Sequence, residues 1–400
     1  MMIKNIVKKS RIFQFLTQQY EFYSLSESAR REFLTDNQGI PDFDPGLERS
    51  LVDAIDWICG AQDSSVSKDG GVARHYSLIT GWSSSYPETT GYIIPTVLEY
   101  AQKKNNDILR QRAKRMLDWL VEIQLASGAF KGGMIDQEPN APVVFNTGQI
   151  LLGLARGVIE FGETYRKAMI RAADWLVQVQ DSDGCWRKFS SPYVASGVKA
   201  YDTHVAWGLF EAARLEPDKP YAKAALDNVR WAQTLQKSNG WFEKCCLSDQ
   251  LNPLTHTLGY ALRGIVEAYR FCKEHEILQC ALKSADGLLS ALQSDGYLPG
   301  RLNTNWEASV SWVCLTGSVQ IAICWIMLYQ ITGDEKYRNA AYDVNSYVRR
   351  TMKTDGQIEI RGGIKGSFPV SGGYCPHEYI NWACKFFIDA NMAELSLRNQ

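Results

Sequence analysis

Apolar residues recur at helical spacing along most of this chain, in stretches of two alternating kinds. In one kind, Ile150, Leu154 and Val158 fall on one helix face, and the stretch is rich in small residues and poor in charge. Such a helix is typically packed on several sides. In the other kind, as in residues 110–122, charge is frequent, which is typical of a helix with one face in water. The pattern predicts alternating inner and outer helices.

A repeated motif joins the two kinds of stretch. A Trp in the charged stretch is followed nine positions later by a Gly in a turn, and a Gln stands four positions before that Gly. The clearest copies run from Trp119 to Gly128, from Trp175 to Gly184 and from Trp231 to Gly240, and fainter ones end at Gly70, Gly296 and Gly356. From Trp57 onward the anchors are 62, 56, 56, 56 and 57 residues apart. A fixed period of this length indicates stacked helical hairpins that cannot bury their apolar faces alone.

Six hairpins, each with an outer and an inner helix, close most simply into a ring. We therefore predict an all-α fold, an (α/α)6 toroid, that uses residues 46–400 as a single domain, with residues 1–45 as an N-terminal helical extension. An open helical solenoid is the structural alternative. The ring is favoured because there are six copies and neither end has the polar character of a capping repeat.

Basic and apolar residues alternate near the N-terminus, over residues 3–16, as in an amphipathic helix. We expect this helix to pack on the outside of the ring, and a weak contact with a membrane surface is the alternative. The net charge of −1 gives no basic surface for nucleic acid. The ten cysteines form no CxxC pair, which favours reduced thiols. With no signal-peptide pattern, we expect a cytoplasmic location.

Ionisable residues share one position, the predicted start of the inner helices. In a ring these helix starts meet at one mouth, where unsatisfied N–H groups favour anionic ligands. The candidate catalytic residues are Glu88, Asp202, His204, His256 and His377. Helix capping alone is the competing interpretation for Asp202 and Asn146, but it explains the histidines poorly.

Aromatic and polar residues crowd the loops before these helices. Aromatic faces stack on sugar rings, although core packing at the base of each loop is an equally good explanation for any single residue. The candidate substrate-binding residues are Trp82, Tyr86, Asn146, Tyr201, Arg301, Trp306, Tyr374 and Glu378.

Two chemistries fit these residues, and the sequence leaves both open. Glu88 and Asp202 would supply the paired carboxyl groups of glycoside hydrolysis. Alternatively, His204 or His256 would abstract a proton beside a uronate carboxylate. No P-loop or dinucleotide-binding glycine pattern is present, so no cofactor is predicted. Cys375 and His377 resemble a pair of zinc ligands, but we predict no metal.

The motif from Gln180 to Trp186 resembles the repeat of squalene and oxidosqualene cyclases and of prenyltransferase β-subunits. The repeat is also similar to that of six-hairpin glycosidases, α/α-barrel polysaccharide lyases and glucuronyl C5-epimerases. Residues 312–320 and 328–334 resemble uncharacterised toroid proteins of bacterial surface-polysaccharide gene clusters. These resemblances imply the toroid fold and a glycan context.

We therefore predict a carbohydrate-active enzyme that cleaves or remodels an acidic oligosaccharide or polysaccharide in bacterial surface-glycan metabolism, as a glycoside hydrolase or a uronate lyase. The alternatives are an isoprenoid cyclase, a glucuronyl C5-epimerase and a non-catalytic glycan-binding toroid. The expected partner is a saccharide, not a nucleic acid.

Overall fold

The computed structural model describes residues 22–194 and 197–399. The amphipathic helix expected over residues 3–16, and with it the alternative of a weak membrane contact, lies outside the described residues. Thirteen α-helices are described, and five strands of two or three residues each join some of the loops. The helices are α1 (Glu27–Asp36), α2 (Leu47–Asp63), α3 (Pro87–Lys104), α4 (Asp107–Ile123), α5 (Val144–Phe161), α6 (Arg166–Gln178), α7 (Thr203–Leu215), α8 (Tyr221–Gln233), α9 (Thr255–Cys272), α10 (His275–Ser290), α11 (Leu315–Thr332), α12 (Glu335–Arg350) and α13 (Asn381–Arg398).

Helices α2 to α13 form six hairpins that close into a ring. The odd-numbered helices from α3 to α13 pack on one another in sequence around the inside, and α13 also packs on α3 and on the outer helix α2. The predicted (α/α)6 toroid is confirmed, and the open solenoid is excluded by the contacts of α13. Outer helices bury one stripe, as Leu109, Ala113, Met116 and Leu120 do in α4, whereas inner helices are buried on most sides.

The repeated Gln ties each turn to the next hairpin. The side-chain amide of Gln124 donates hydrogen bonds to the carbonyl oxygens of Gly128 in its own turn and of Ala168 in α6, over 2.8 and 2.9 Å. Gln180 repeats the arrangement with Gly184 and with α8, over 2.9 Å in both bonds. In each of these units, the repeated Gln therefore corresponds to a hydrogen-bonded contact between neighbouring hairpins.

The turn glycines need positive φ and close approach to the next outer helix. A Cβ on Gly128, with φ of +95°, would lie 2.4 Å from the carbonyl oxygen of Arg171. In the sixth unit this position belongs to Gly362, whose added Cβ would lie 2.0 Å from the carbonyl oxygen of Asp53 in α2. Gly356, the predicted sixth turn, meets nothing within 4 Å, so that assignment is wrong. Gly362 packs the last hairpin on the first.

Short strands connect the loops at the mouth of the ring. β1 (His75–Ser77) pairs with β2 (Gly81–Trp82) and with β5 (Glu378–Ile380), so the loop before α3 is joined to the loop before α13. β3 (Val313–Cys314) pairs with β4 (Ser367–Phe368) in the same way. The pairing of β1 with β5 joins loops from distant parts of the sequence, and that of β3 with β4 joins the loops before α11 and α13.

Helix α1 packs on the loop before α13. The ammonium group of Lys365 lies 2.5 Å from Asp36 and 3.2 Å from Glu32, and all three side chains are buried. The described part of the N-terminal extension therefore lies outside the ring. Among the described helices, α11 is the one long and apolar enough to cross a membrane by length and composition, and 78% of it is buried inside the protein.

Candidate functional site

A cavity of about 230 Å³ opens at the mouth of the ring, where the inner helices begin. Its walls come from the N-terminal parts of α3, α5, α9 and α13 and from the loops before α3, α7, α9 and α13, and the loop before α7 supplies the most residues. Seven of the thirteen predicted site residues line this cavity: Glu88, Asp202, His256, Tyr86, Asn146, Tyr201 and Tyr374. Distant hairpins therefore bring these seven residues to one opening, as expected.

Glu88 is the second residue of α3, and its side chain is buried. The hydroxyl group of Tyr86 donates a hydrogen bond to its Oε2 over 2.9 Å. Burial raises the pKa of Glu88 to about 7, although the Tyr86 hydrogen bond and the charge of Arg74 favour the ionised form and limit the rise. Glu88 therefore changes protonation near neutral pH.

Asp202 ends the short 3₁₀ turn Ala200–Asp202, immediately before α7. Its carboxyl group makes no capping hydrogen bond to the helix, so capping alone does not account for it. Burial raises the pKa of Asp202 to about 8, and only the charge of Lys199 opposes the rise. The cavity thus holds two carboxyl groups with raised pKa values, Glu88 and Asp202, and the pKa of Asp202 is the higher.

Arg74 brings a half-buried cation to the cavity. Its Nη1 atom lies 2.9 Å from Oε2 of Glu378 and 2.7 Å from Nδ1 of His75. The guanidinium group also lies 4.9 Å from the ring centre of Trp382, which lines the cavity. Glu378, predicted to bind substrate, is outside the lining and holds Arg74 instead.

His256 is the second residue of α9, and its Nδ1 lies 2.7 Å from the Oε1 atom of Gln320. Because an amide oxygen accepts, Nδ1 carries the proton and Nε2 is the basic nitrogen. Burial lowers the pKa of His256 to about 4, so the ring is neutral at pH 7. Because Nε2 carries no proton, it can take one from a ligand, as proton abstraction requires.

His204, the second residue of α7, forms the same arrangement with another Gln. Its Nδ1 lies 2.6 Å from Oε1 of Gln149, and its ring is 4.5 Å from that of Tyr260. The side chain is fully buried and outside the cavity lining, and burial holds its pKa well below the usual range. The prediction that His204 contacts substrate is corrected: it supports Tyr260, which does line the cavity.

The cavity has an aromatic floor and one polar group without a partner. The ring centre of Tyr260 lies 5.1 Å from that of Phe145 and 4.4 Å from that of His256. Tyr374 accepts a hydrogen bond from Nε1 of Trp382 over 2.9 Å. The side chain of Asn146 is buried, and its Nδ2 has no hydrogen-bond partner among the described residues. A ligand hydroxyl group in the cavity would satisfy it.

Two predicted tryptophans pack elsewhere. Trp82 lies in β2 with its ring 5.5 Å from Trp57 and 5.2 Å from Tyr76, outside the cavity lining. Trp306 donates from Nε1 to the carbonyl oxygen of Asn239 over 2.9 Å and is buried. The expectation that they form sugar platforms is corrected, because core packing at the loop bases accounts for both.

Two further predicted residues hold loops together. Arg301 donates to the carbonyl oxygen of Asn252 over 2.7 Å and lies outside the cavity lining. His377 accepts at its carbonyl oxygen from the backbone N–H of Leu78 over 2.9 Å, four residues before α13 begins. It does not share the position of His256, so its placement in the site is corrected. No group of three or more His, Cys, Asp or Glu side chains is placed to hold a metal ion in residues 22–194 and 197–399.

Several lining residues were not predicted, among them Arg74, Lys199, Tyr260 and Trp382. Tyr260 stands one helical turn after His256 and shares its face, which is a usable sequence signal. Trp382 is the second residue of α13, as Glu88 is of α3 and His256 of α9. Placing the helix start at Asn381 instead of His377 would have found it.

Comparison with solved structures gives the same fold. An unsaturated glucuronyl hydrolase specific for heparin matches with a TM-score of 0.71 and 16% identity, over 88% of this chain and 98% of that one. A D-mannose isomerase matches with a TM-score of 0.69 and 12% identity, over 90% and 100% of the two chains. Cellobiose 2-epimerase from Bacillus thermoamylovorans matches with a TM-score of 0.68 and 13% identity, over 86% and 98%. No protein-family model matches the sequence, and no curated protein is significantly similar to it. This chain is therefore similar in fold to α/α-toroid enzymes, as its repeat predicted.

Proposed function

We propose that this protein is a carbohydrate-active enzyme that hydrolyses a glycosidic bond at the end of an acidic oligosaccharide. The observation that carries this proposal is the presence of two buried carboxyl groups, Glu88 and Asp202, in one cavity, each with a raised pKa but only Glu88 with a hydrogen bond that favours its ionised form. Glycoside hydrolysis needs one carboxyl group that carries a proton and one that does not.

Asp202 acts as the general acid in this scheme, because its pKa of about 8 keeps it protonated at neutral pH. It gives its proton to the glycosidic oxygen as the bond to the anomeric carbon breaks. Glu88, with a hydrogen bond from Tyr86, either takes a proton from the attacking water or attacks the anomeric carbon itself. The stereochemistry of the product separates these two routes.

The cavity favours a single acidic sugar unit. Its volume of about 230 Å³ is below the lower end of typical ligand pockets, roughly 300 Å³, so we expect it to hold one ring of a chain end. Arg74 and Lys199 supply positive charge for a carboxylate, and Trp382 and Tyr374 offer aromatic faces. The glucuronyl hydrolases of the same fold act, by name, on acidic sugars.

Proton abstraction is the second candidate, and His256 is the observation that favours it. A neutral ring with Nδ1 held by Gln320 presents an accepting Nε2 beside Tyr260, as a lyase, C5-epimerase or sugar isomerase requires. An isoprenoid cyclase is less favoured because charged side chains line the cavity. A non-catalytic binding toroid is less favoured because its carboxyl groups should titrate normally. The cytoplasmic location and the bacterial surface-glycan context stay predictions.

The test is turnover of end-labelled oligosaccharides that end in a saturated uronate, an unsaturated uronate or a neutral sugar. Product masses distinguish the reactions: hydrolysis adds one water, a lyase adds none, and an epimerase or isomerase leaves the mass unchanged. Glu88→Gln and Asp202→Asn should each lower kcat at least a hundredfold. Glu122→Gln and Asp218→Asn, at exposed carboxylates, are the matched controls. Unchanged turnover in both site variants would remove the proposed site.

A further inference from the structure

A second cavity, of about 530 Å³, lies at the other end of the ring. The inner helices begin at the mouth, and this lower cavity is lined by later residues of the same helices, in α3, α5, α7 and α9. None of its lining residues lines the upper cavity.

Arg263 stands in the middle of α9 and is 9% exposed. Its Nε and Nη2 atoms lie 2.9 and 2.7 Å from Oε1 of Glu267, and its guanidinium carbon lies 4.2 Å from the ring centre of Trp207. Its remaining nitrogen, Nη1, is buried and has no hydrogen-bond partner among the described residues. A buried donor left unsatisfied is destabilising, and more so when it belongs to a charged group.

The charge of the lower cavity favours an anion. Five of its lining residues are cationic and three are anionic: Arg156, Arg214, Arg263, Arg270 and Lys273 against Glu99, Glu211 and Glu267. Burial and the charge of Glu267 raise the pKa of Glu211, which weakens the negative contribution further. Cations in the last turn of a helix balance its dipole, which explains Arg214 and Arg270. It does not explain Arg263, nine residues before the end of α9.

We propose that the lower cavity binds an oxyanion through Arg263 and Arg156, whose Nε also lacks a partner. A carboxylate of an acidic saccharide and a free phosphate share the required chemistry, because both accept hydrogen bonds from a planar guanidinium group. This site would be separate from the upper cavity, and the inference stands whether or not the proposed hydrolysis is correct.

Isothermal titration of the full chain at low salt tests the inference, with inorganic phosphate, methyl glucuronide and neutral methyl glucoside as separate ligands. At least one anion should bind, methyl glucoside should not compete with it, and the tighter anion identifies the source. Arg263→Met should weaken that binding at least tenfold. Arg156→Met, at a partly exposed side chain, should weaken it in the same direction if Arg263→Met fails to fold.

Arg361→Met should bind the anion as the unaltered protein does, because it changes an exposed arginine elsewhere. The inference is overturned if neither anion binds at millimolar concentration. It is also overturned if binding survives in both Arg263→Met and Arg156→Met, or is weakened as much by Arg361→Met as by Arg263→Met.

Discussion

The hydroxyl group of Tyr86 donates a hydrogen bond to the carboxylate of Glu88 over 2.9 Å, inside a cavity where both side chains line the wall. This contact favours the ionised form of a carboxyl group that burial would otherwise keep protonated. It distinguishes Glu88 from Asp202, whose rise in pKa is opposed only by the charge of Lys199.

Tyr86→Phe removes this hydrogen bond, so the pKa of Glu88 should rise above its value of about 7. If Glu88 works in its ionised form, the acidic limb of the kcat/KM profile should move to higher pH by about one unit. The profile measured from pH 4 to 9 checks this. Tyr23→Phe, at an exposed tyrosine, is the control. A limb that stays in place would show that Glu88 does not control the reaction.

Asp202→Asn should stabilise the protein most at high pH. The pKa of Asp202 is about 8 in the folded chain and about 4 in the unfolded chain, so only the folded chain keeps the proton between these values. The contribution of Asp202 to stability is therefore full below pH 4 and is lost as pH rises through 8. Asparagine has no proton to lose, so the variant should gain on the order of a few kcal/mol at pH 8 and little at pH 4.

Urea unfolding of the two proteins at several pH values measures this difference. Asp218→Asn, at an exposed aspartate, should show no such dependence. A constant difference in the free energy of unfolding across the range would contradict the raised pKa.

Gln180→Ala removes one hydrogen bond to Gly184 in its own turn and one to Ala224 in α8, without touching the cavity. The carbonyl oxygen of Gly184 still accepts from Nδ2 of Asn228, so the expected loss is that of two ordinary hydrogen bonds, about 1–3 kcal/mol in the free energy of unfolding. Gln111→Ala, at an exposed Gln of α4, should change it by less than about 0.5 kcal/mol. Equal effects in urea unfolding would contradict the role given to the repeated Gln.

Gly240→Ala and Gly333→Ala separate crowding from backbone strain. Both glycines have positive φ, +86° and +75°, so both alanines carry the strain of the left-handed region, about 1–2 kcal/mol. Only at Gly240 would the new Cβ meet a neighbour, the carbonyl oxygen of Lys283 at 2.2 Å, whereas Gly333 has nothing within 4 Å. The free energy of unfolding should fall by at least about 2 kcal/mol more for Gly240→Ala. Similar losses would refute close approach as the reason for the turn glycine.

The ring and part of the cavity were predictable because both follow the period. The spacing of Trp, Gln and Gly reflects a contact repeated between neighbouring hairpins, and Glu88, Asn146 and Asp202 lie where inner helices begin. A sequence period carries no information about the path of a loop, however. Trp306 and Arg301 have the right residue types in the right loop, yet their side chains bind backbone carbonyls away from the cavity.

Arg74 was missed for a related reason. It precedes β1, and it reaches the cavity because β1 pairs with β5, some 300 residues further along the chain. Strands of two or three residues leave no alternating pattern long enough to recognise. The turn of the sixth unit was also predicted at the wrong glycine, because it lies at Gly362, six residues beyond the expected Gly356.

Because Gly362 seats the final hairpin on Asp53, every hairpin of the toroid has a neighbour on each side. The ring itself does not require any particular hairpin to come first in the chain. A circularly permuted chain, in which a linker joins the end of α13 to the start of α1 and the chain opens in an exposed loop between two other hairpins, would retain each of these inter-hairpin contacts.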